Sequence, residues 1–300
     1  MSWEDTFTSW AKGPAKTEQE KCENAETAIR KAIDAHEKLS SMDITVLAQG
    51  SYRNRTNVRQ DSDVDICVRL NSTFFPDYPN GKTKEDFGNT DGSITFAEYR
   101  NLVGEALADY FDPDSVTRGN KAFDVHANTY RIDADVVASL EHRRYTGNTD
   151  PDGDHLYHSG IGFSTDDGKL IYNWPDHNYT NGLNKHEATG RRFRKMIRIL
   201  KRLRNEMRED GIAAADDIAS CLIEALVWNV PNDSFGHDTY KKDVRAVLAH
   251  TFNNTLQFER CKEWGEVNEL QYLFRAGKKP WTLEQAHGFL SAAWDYLELV

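Results

Sequence analysis

Apolar and polar positions alternate along the chain in two distinct rhythms. Cys22, Ala25, Ala28, Ile29, Ala32, Ile33, His36 and Leu39 recur at helical spacing and predict a helix over 17–40, with Thr17 and Glu20 as its capping box. The rhythm then shortens to alternation: strands are predicted at 44–48 and 64–70, separated by a break at Gly50 and Ser51 and a polar, irregular run over 54–60. Residues 71–93, with two prolines and three glycines, read as a long loop. A helix follows over 95–111, with Thr95 and Glu98 as its capping box and Pro113 beyond its end. Strands are expected near 121–127 and 129–140, a turn at 150–154, and a hairpin around Asp166, Asp167 and Gly168. After Pro175 the pattern is helical: 185–209 with Asn184 and Glu187 as a cap, then 216–230, 238–258 and 282–299. The fold class is therefore α+β, a mixed α/β core over 1–183 followed by a helical domain over 184–300.

Composition narrows the function classes. The 300 residues carry 37 basic and 48 acidic side chains, a net charge of −11, and 39% are hydrophobic, enough for a sizeable core. An overall negative field disfavours a general nucleic-acid coat protein. No apolar run approaches the roughly 20 residues a membrane helix needs, and the first residues lack the basic and apolar regions of a secretory signal, so a soluble, cytoplasmic protein without membrane attachment is expected. Cys22, Cys67, Cys221 and Cys261 are dispersed, with no CxxC pair to suggest a zinc ribbon or a disulfide framework.

The chemistry concentrates in QGSYRNRTNVRQDSDVDICV, residues 49–68. Asp63 and Asp65 lie two apart on a strand, so both carboxylates leave one face while Val64 and Ile66 leave the other. Two such charges about 5 Å apart repel by roughly 3 kcal/mol at an effective dielectric near 20. A hard divalent cation such as Mg²⁺ relieves that repulsion and leaves coordination positions for water and phosphate. A solvated edge strand is the bland alternative; Gly50 and Ser51, a glycine and a hydroxyl placed to approach phosphate, weigh against it. Asp133 and Asp135 share a face on a later strand, and Asp135, followed by two valines, is the better third carboxylate for a two-metal clamp.

These residues resemble the DNA polymerase β-type nucleotidyltransferase superfamily, whose signature is Gly-Ser, Asp-x-Asp and a third Asp on a later strand. Four segments, QGSYRNRTNVRQDSDVDICV, ADVVASLEHRRY, RRFRKMIRILKRLRNEM and IASCLIEALVWNVP, narrow the resemblance to the cGAS/DncV-like nucleotidyltransferases of bacteria. The resemblance implies a two-lobed molecule with a polymerase β-like core, a helical domain and the active site in the cleft. It implies two Mg²⁺ ions (or Mn²⁺) on Asp63, Asp65 and Asp135, and nucleotide triphosphate held by Gln49, Gly50, Ser51, Lys195, Arg198 and Ser220. The implied reaction joins ATP and/or GTP into a cyclic di- or trinucleotide, with cyclic GMP-AMP the leading expectation, and releases pyrophosphate. The product would act in antiphage defence through a separate effector protein. Linear 2′–5′ oligoadenylate synthesis or transfer to RNA is the rival chemistry, and a non-catalytic nucleotide or RNA sensor the rival role. Cys221 follows Ser220 where many relatives carry a base-stacking Tyr, Ala138 stands where many have Pro, and no zinc module is present, which speaks against activation by nucleic acid.

Other features are weighed beside these. Nine basic residues against Glu206 over 191–208 suggest a helix face for polyanions, although isolated charge runs are usually solvated. Arg53, Arg55 and Arg59 either clamp phosphate or pair with acids such as Asp61. His155 and His158 read as loop histidines, and Trp174, His177 and Asn178 as a rigid turn. Trp281 and Trp294 are assigned to the C-terminal core and Glu224 to a buried pairing with an arginine.

Overall fold

A computed structural model describes residues 2–58, 63–275 and 279–299. In chain order its elements are α1 (Trp3–Trp10), α2 (Lys16–Ala35), β1 (Ile44–Ala48), α3 (Gly50–Asn54), β2 (Val64–Asp77), α4 (Phe96–Phe111), β3 (Val116–Arg118), β4 (Phe123–Val125), β5 (Ala134–Thr149), β6 (His155–Ser164), β7 (Leu170–Asn173), α5 (Pro175–Ala188), α6 (Phe193–Glu209), α7 (Ser220–Trp228), α8 (Tyr240–Thr255), α9 (Phe258–Cys261) and α10 (Leu283–Tyr296).

The chain divides into two compact units. The sheet unit takes residues 15–53 and 63–176. Its strands run in the order β1-β2-β5-β4-β3, with β6 on the outer half of β5 and β7 beyond it. Strands β2 and β5 are parallel, and the remaining pairs are antiparallel. Alternation sorts the side chains. Val64, Ile66, Val68 and Leu70 of β2, with Ala134, Val136, Ala138 and Leu140 of β5, form one core with Ile29 and Ile33 of α2 and Tyr99, Val103 and Leu107 of α4. The intervening residues leave the opposite face.

The helical unit takes residues 2–14, 54–58 and the chain from 177 onward. Its core joins Phe7, Met196, Leu200, Leu203, Leu222, Leu226, Val244, Leu248, Phe289 and Leu290. The sequence boundary of 1–183 and 184–300 is shifted by these contacts. Phe7, fully buried, packs α1 into the helical core. The 54–58 segment is bonded there as well, through Arg55 and Thr56.

Five local expectations are corrected. Helix α2 begins directly after Pro14, with Ala15 as an extended cap that uses no side chain, so Thr17 lies inside the helix. Strand β2 passes residue 70 through an irregularity and goes on pairing with β5 to Asp77, because Phe74 and Phe75 continue the β-forming run. Strand β5 begins at 134, not 129, because side chains hold the preceding residues in a turn: Asn128 accepts from the Tyr130 and Arg131 amides, and Asp133 accepts from the Ala127 amide at 2.6 Å. The helix expected over 185–209 is two helices, since Gly190 and Arg191 take left-handed backbone (φ 57° and 64°) between α5 and α6. The supposed rigid turn at 174–178 begins α5, with Pro175 where a first helical residue needs no amide and Trp174 fully buried behind it. The hairpin expected around Asp166–Gly168 is present as β6 and β7. No described helix is long and apolar enough to cross a membrane.

Candidate active site

The same triplet, an aspartate between two apolar residues, occurs on three neighbouring strands: Val64-Asp65-Ile66 on β2, Phe123-Asp124-Val125 on β4 and Ala134-Asp135-Val136 on β5. In each, burying the flanking residues presents the aspartate on the opposite face. The register aligns them: Asp65 lies opposite Asp135 across the parallel pair, and Asp135 opposite Asp124 across the antiparallel one. Register partners on adjacent strands share a face at a spacing of about 4.8 Å. Asp63, exposed, stands immediately before β2, two residues ahead of Asp65.

The charges are felt. Burial pushes the Asp135 carboxyl up to about 6, and Asp63, Asp65 and a hydrogen bond with Asp124 add to the rise. Asp63 is also raised, by burial first and then by Asp133 and Asp124. Asp133 serves the turn by accepting the Ala127 amide, whereas Asp135 stays on the acidic face.

Gly50 packs against this face. It opens α3 with φ +63°, and a Cβ there would stand 2.1 Å from Asp65 Oδ2, so both the backbone angle and the approach demand glycine. The Gln49 amide donates to the Asp65 carbonyl at 2.8 Å, which fixes the turn to β2. Ser51 follows in the first turn of α3, partly exposed. Gly50, Asp65, Asp135 and Asp124 are thus brought together. Asp124 is the member that sequence reasoning missed, although its triplet repeats those of Asp65 and Asp135.

The donor set fits a hard cation: all oxygen, one face, mutually repelling. Among the described residues no three His, Cys, Asp or Glu side chains form a ready-made cage for a metal. Mg²⁺ retains water and takes phosphate oxygens alongside one or two carboxylates.

In the helical unit the basic run fares differently. Arg198, expected to meet triphosphate, is 9% exposed. Its Nε and Nη2 donate to the Ala11 carbonyl at 2.9 and 2.6 Å, and its Nη1 to the Arg55 carbonyl at 2.6 Å. The guanidinium thus ties α1 and the 54–58 segment to α6. Lys201, 1% exposed, pairs with Glu224 at 2.6 Å and donates to the Thr56 carbonyl at 3.2 Å. Glu224 also accepts from the Thr56 hydroxyl at 2.6 Å, so its partner is a lysine, not the expected arginine. Arg204, also buried, donates to the Ile218 carbonyl at 2.7 Å and to Ser220 Oγ at 3.2 Å. The expected free polyanion face is therefore largely consumed inside the unit, because an interior guanidinium or ammonium needs acceptors. Lys195 remains half-exposed, its Nζ 5.9 Å from the Tyr240 ring centre. Ser220 opens α7. Arg53 pairs with Asp176, and Arg59 and Asp61 lie outside the described residues.

A mixed sheet bearing register-matched aspartates beside a Gly-Ser turn is the architecture of a nucleotidyltransferase, and the comparisons agree. Residues 180–298 match the cGAS/DncV-like nucleotidyltransferase C-terminal helical domain. The chain is 42% identical over 296 residues, 98% of both chains, to the cyclic dipyrimidine nucleotide synthase CdnE of Cecembia lonarensis. It is 42% identical over 304 residues, 99% of both chains, to the enzyme of the same name from Legionella pneumophila. Among solved structures, the Rhodothermus marinus CdnE c-UMP-AMP synthase with Apcpp and Upnpp is similar at a TM-score of 0.85 and 30% identity, covering 98% of this chain and 95% of the other. The chain belongs to the cGAS/DncV-like nucleotidyltransferases. It is an enzyme, a nucleotidyltransferase of the kind that synthesises cyclic nucleotides.

Proposed function

We propose that this enzyme joins two nucleoside triphosphates, at least one a pyrimidine nucleotide, into a cyclic dinucleotide on the aspartate face of β2 and β5. The alignment of Asp65 with Asp135 beside Gly50 carries the site, and the two relatives at 42% identity, both named cyclic dipyrimidine nucleotide synthases, support the base choice. UTP or CTP therefore replaces the GMP-AMP pairing of ATP and GTP as the leading expectation.

Asp63, Asp65 and Asp135 would hold Mg²⁺, or Mn²⁺ in its place. When bound, the ions would supply charge neutralisation at the α-phosphate and for the leaving group. Gln49, Gly50 and Ser51 would hold the triphosphate of the donor beside the carboxylates. A ribose hydroxyl oxygen of the acceptor attacks the α-phosphorus. One P–O bond forms, the α–β bridging bond breaks, and pyrophosphate leaves with its electron pair. A carboxylate of this face, Asp135 in this reading, would accept the hydroxyl proton. A second transfer closes the ring. The product would serve antiphage signalling by activating a separate effector protein, in the cytoplasm and without nucleic acid as activator.

The test is mass spectrometry of products made by purified enzyme from all four ribonucleoside triphosphates with Mg²⁺. A phosphatase-resistant dinucleotide containing U or C is the expected result. A product made of A and G alone overturns the base assignment. A phosphatase-sensitive ladder, or label in added RNA, overturns the cyclisation.

A further inference from the structure

Helix α3 carries Gly50 and Ser51, yet no residue in it is buried. One turn of helix is not stable by itself, so contacts outside its own backbone decide where it lies. Gly50 supplies one at the start of the turn, through its approach to Asp65. At the other end, Arg53 Nη2 donates to Asp176 Oδ1 at 2.5 Å. Between them Tyr52 packs, partly buried, against the sheet core, and its OH makes a long 3.5 Å bond to the Gln19 carbonyl, so the ring seats the middle of the turn while Arg53 fixes its end.

Asp176 is a firm anchor. It lies in the first turn of α5, where a carboxylate is favoured by the unpaired amides. Two residues before it, Trp174 is fully buried, its ring 5.3 Å from that of His142 and beneath the Arg144 guanidinium at 4.3 Å. Gly160 makes room for this stretch: a Cβ there would meet the Asn173 carbonyl at 2.6 Å and the indole at 2.8 Å. The carboxylate at 176 is therefore held by the sheet, and through Arg53 the sheet holds α3.

We propose that the Arg53–Asp176 ion pair is a positioning contact that fixes the Gly50–Ser51 turn against the aspartate face and thereby sets the affinity for the nucleotide triphosphate. The inference rests on the reading above that this turn holds phosphate. Arg53 acts through the turn and makes no substrate contact of its own, so its carboxylate partner matters as much as the guanidinium does.

The experiment follows pyrophosphate release from the four nucleoside triphosphates with Mg²⁺ in R53Q, D176N, their double variant, the exchange R53D/D176R, and S51A. R53Q and D176N should each raise the apparent KM about fivefold, the size a half-exposed ion pair contributes, with kcat within twofold and melting temperature unchanged. The double variant should be no worse than either single, and the exchange should restore at least half of the loss. A rise in KM for R53Q with none for D176N would mean that Arg53 touches the nucleotide itself, and overturns the proposal. Independent, multiplying effects in the double variant, or no effect of either single, overturn it too. An unchanged KM in S51A removes instead the underlying reading of the turn as a phosphate site. S51A with raised KM beside a silent D176N fails only the positioning role.

Discussion

The acidic face of the sheet unit and the basic helix α6 of the helical unit look alike as sequence: each is a dense run of one charge at the right periodicity. Their environments differ. On the sheet, Asp65, Asp124 and Asp135 are in register, and their proximity leaves Asp135 raised to about 6. On α6, Arg198, Lys201 and Arg204 are buried and their donors are taken by carbonyls, Glu224 and Ser220. The first is like charge gathered on one face at a cost, as chemistry requires. The second is charge used as internal scaffolding. Charge density does not separate these cases; the inventory of partners does.

The comparison is broken most severely at the aspartates. Asp65→Asn or Asp135→Asn should lower cyclic nucleotide formation by at least about 1,000-fold, on the order of 4 kcal/mol of transition-state stabilisation. The variants should melt no lower than the parent, because each removes a repelling charge. Product quantified by chromatography beside a melting curve checks both halves. Unreduced product in Asp65→Asn would show that this face is not where the reaction occurs.

On the helical side the same operation should strike stability. Lys201→Met leaves Glu224 buried without its cation, and breaking such a pair costs about 3 to 5 kcal/mol. Lys201→Met with Glu224→Leu removes both charges and should recover most of that loss. Denaturant midpoints on the four members of the cycle measure the coupling. A single variant as stable as the parent would place Lys201 among the free cations after all.

How far these roles were legible in the sequence depends on the kind of periodicity. Strand alternation fixes the face of a side chain within two residues, so the shared face of Asp65 and Asp135 could be read directly, and the spans of β1 and α4 matched their pattern closely. Asp124 repeats the same triplet, but only the pairing of β4 with β5 shows which carboxylate it meets. A helix stripe states which residues share a side, not whether the side is covered. Neither the burial of Arg198 beneath Ala11 nor the joining of Thr56 to Lys201 is local. Each contact spans more than 140 residues of chain. The break after α5 rests on the left-handed backbone of Gly190 and Arg191, which no periodicity announces.

A subtler contrast appears in pH. A carboxyl raised from an ordinary value of 3.8 to about 6 binds its proton more tightly in the folded protein than in the unfolded chain. Stability of the metal-free enzyme should therefore fall as pH rises from about 4 to about 6 and stay lower above that, the reverse of a salt-bridged aspartate. After allowance for solvent near a partly buried group, the loss is on the order of 1 to 2 kcal/mol. Melting curves in EDTA from pH 4 to 8 should show Asp135→Asn gaining on the parent across that window, with equal melting points near pH 4. A difference that does not vary with pH would mean that Asp135 carries no excess repulsion.

The smallest effect sharpens the comparison from within α6. Lys195 is half-exposed and Arg198 is not, though they stand three residues apart on one helix. Lys195→Ala should change the melting temperature little, since exposed substitutions generally stay within about 0.5 kcal/mol. Its apparent KM for nucleotide should rise a few-fold if the exposed ammonium meets phosphate. Arg198→Ala should do the opposite, losing stability because the Ala11 and Arg55 carbonyls are left without their donor, at about 1 to 3 kcal/mol for such buried groups. Measuring KM and melting temperature on both variants separates substrate contact from scaffold residue by residue. If Lys195→Ala leaves KM unmoved, the basic run of α6 is scaffold at both positions, and substrate affinity must come from the Gly50–Ser51 turn and the aspartate face.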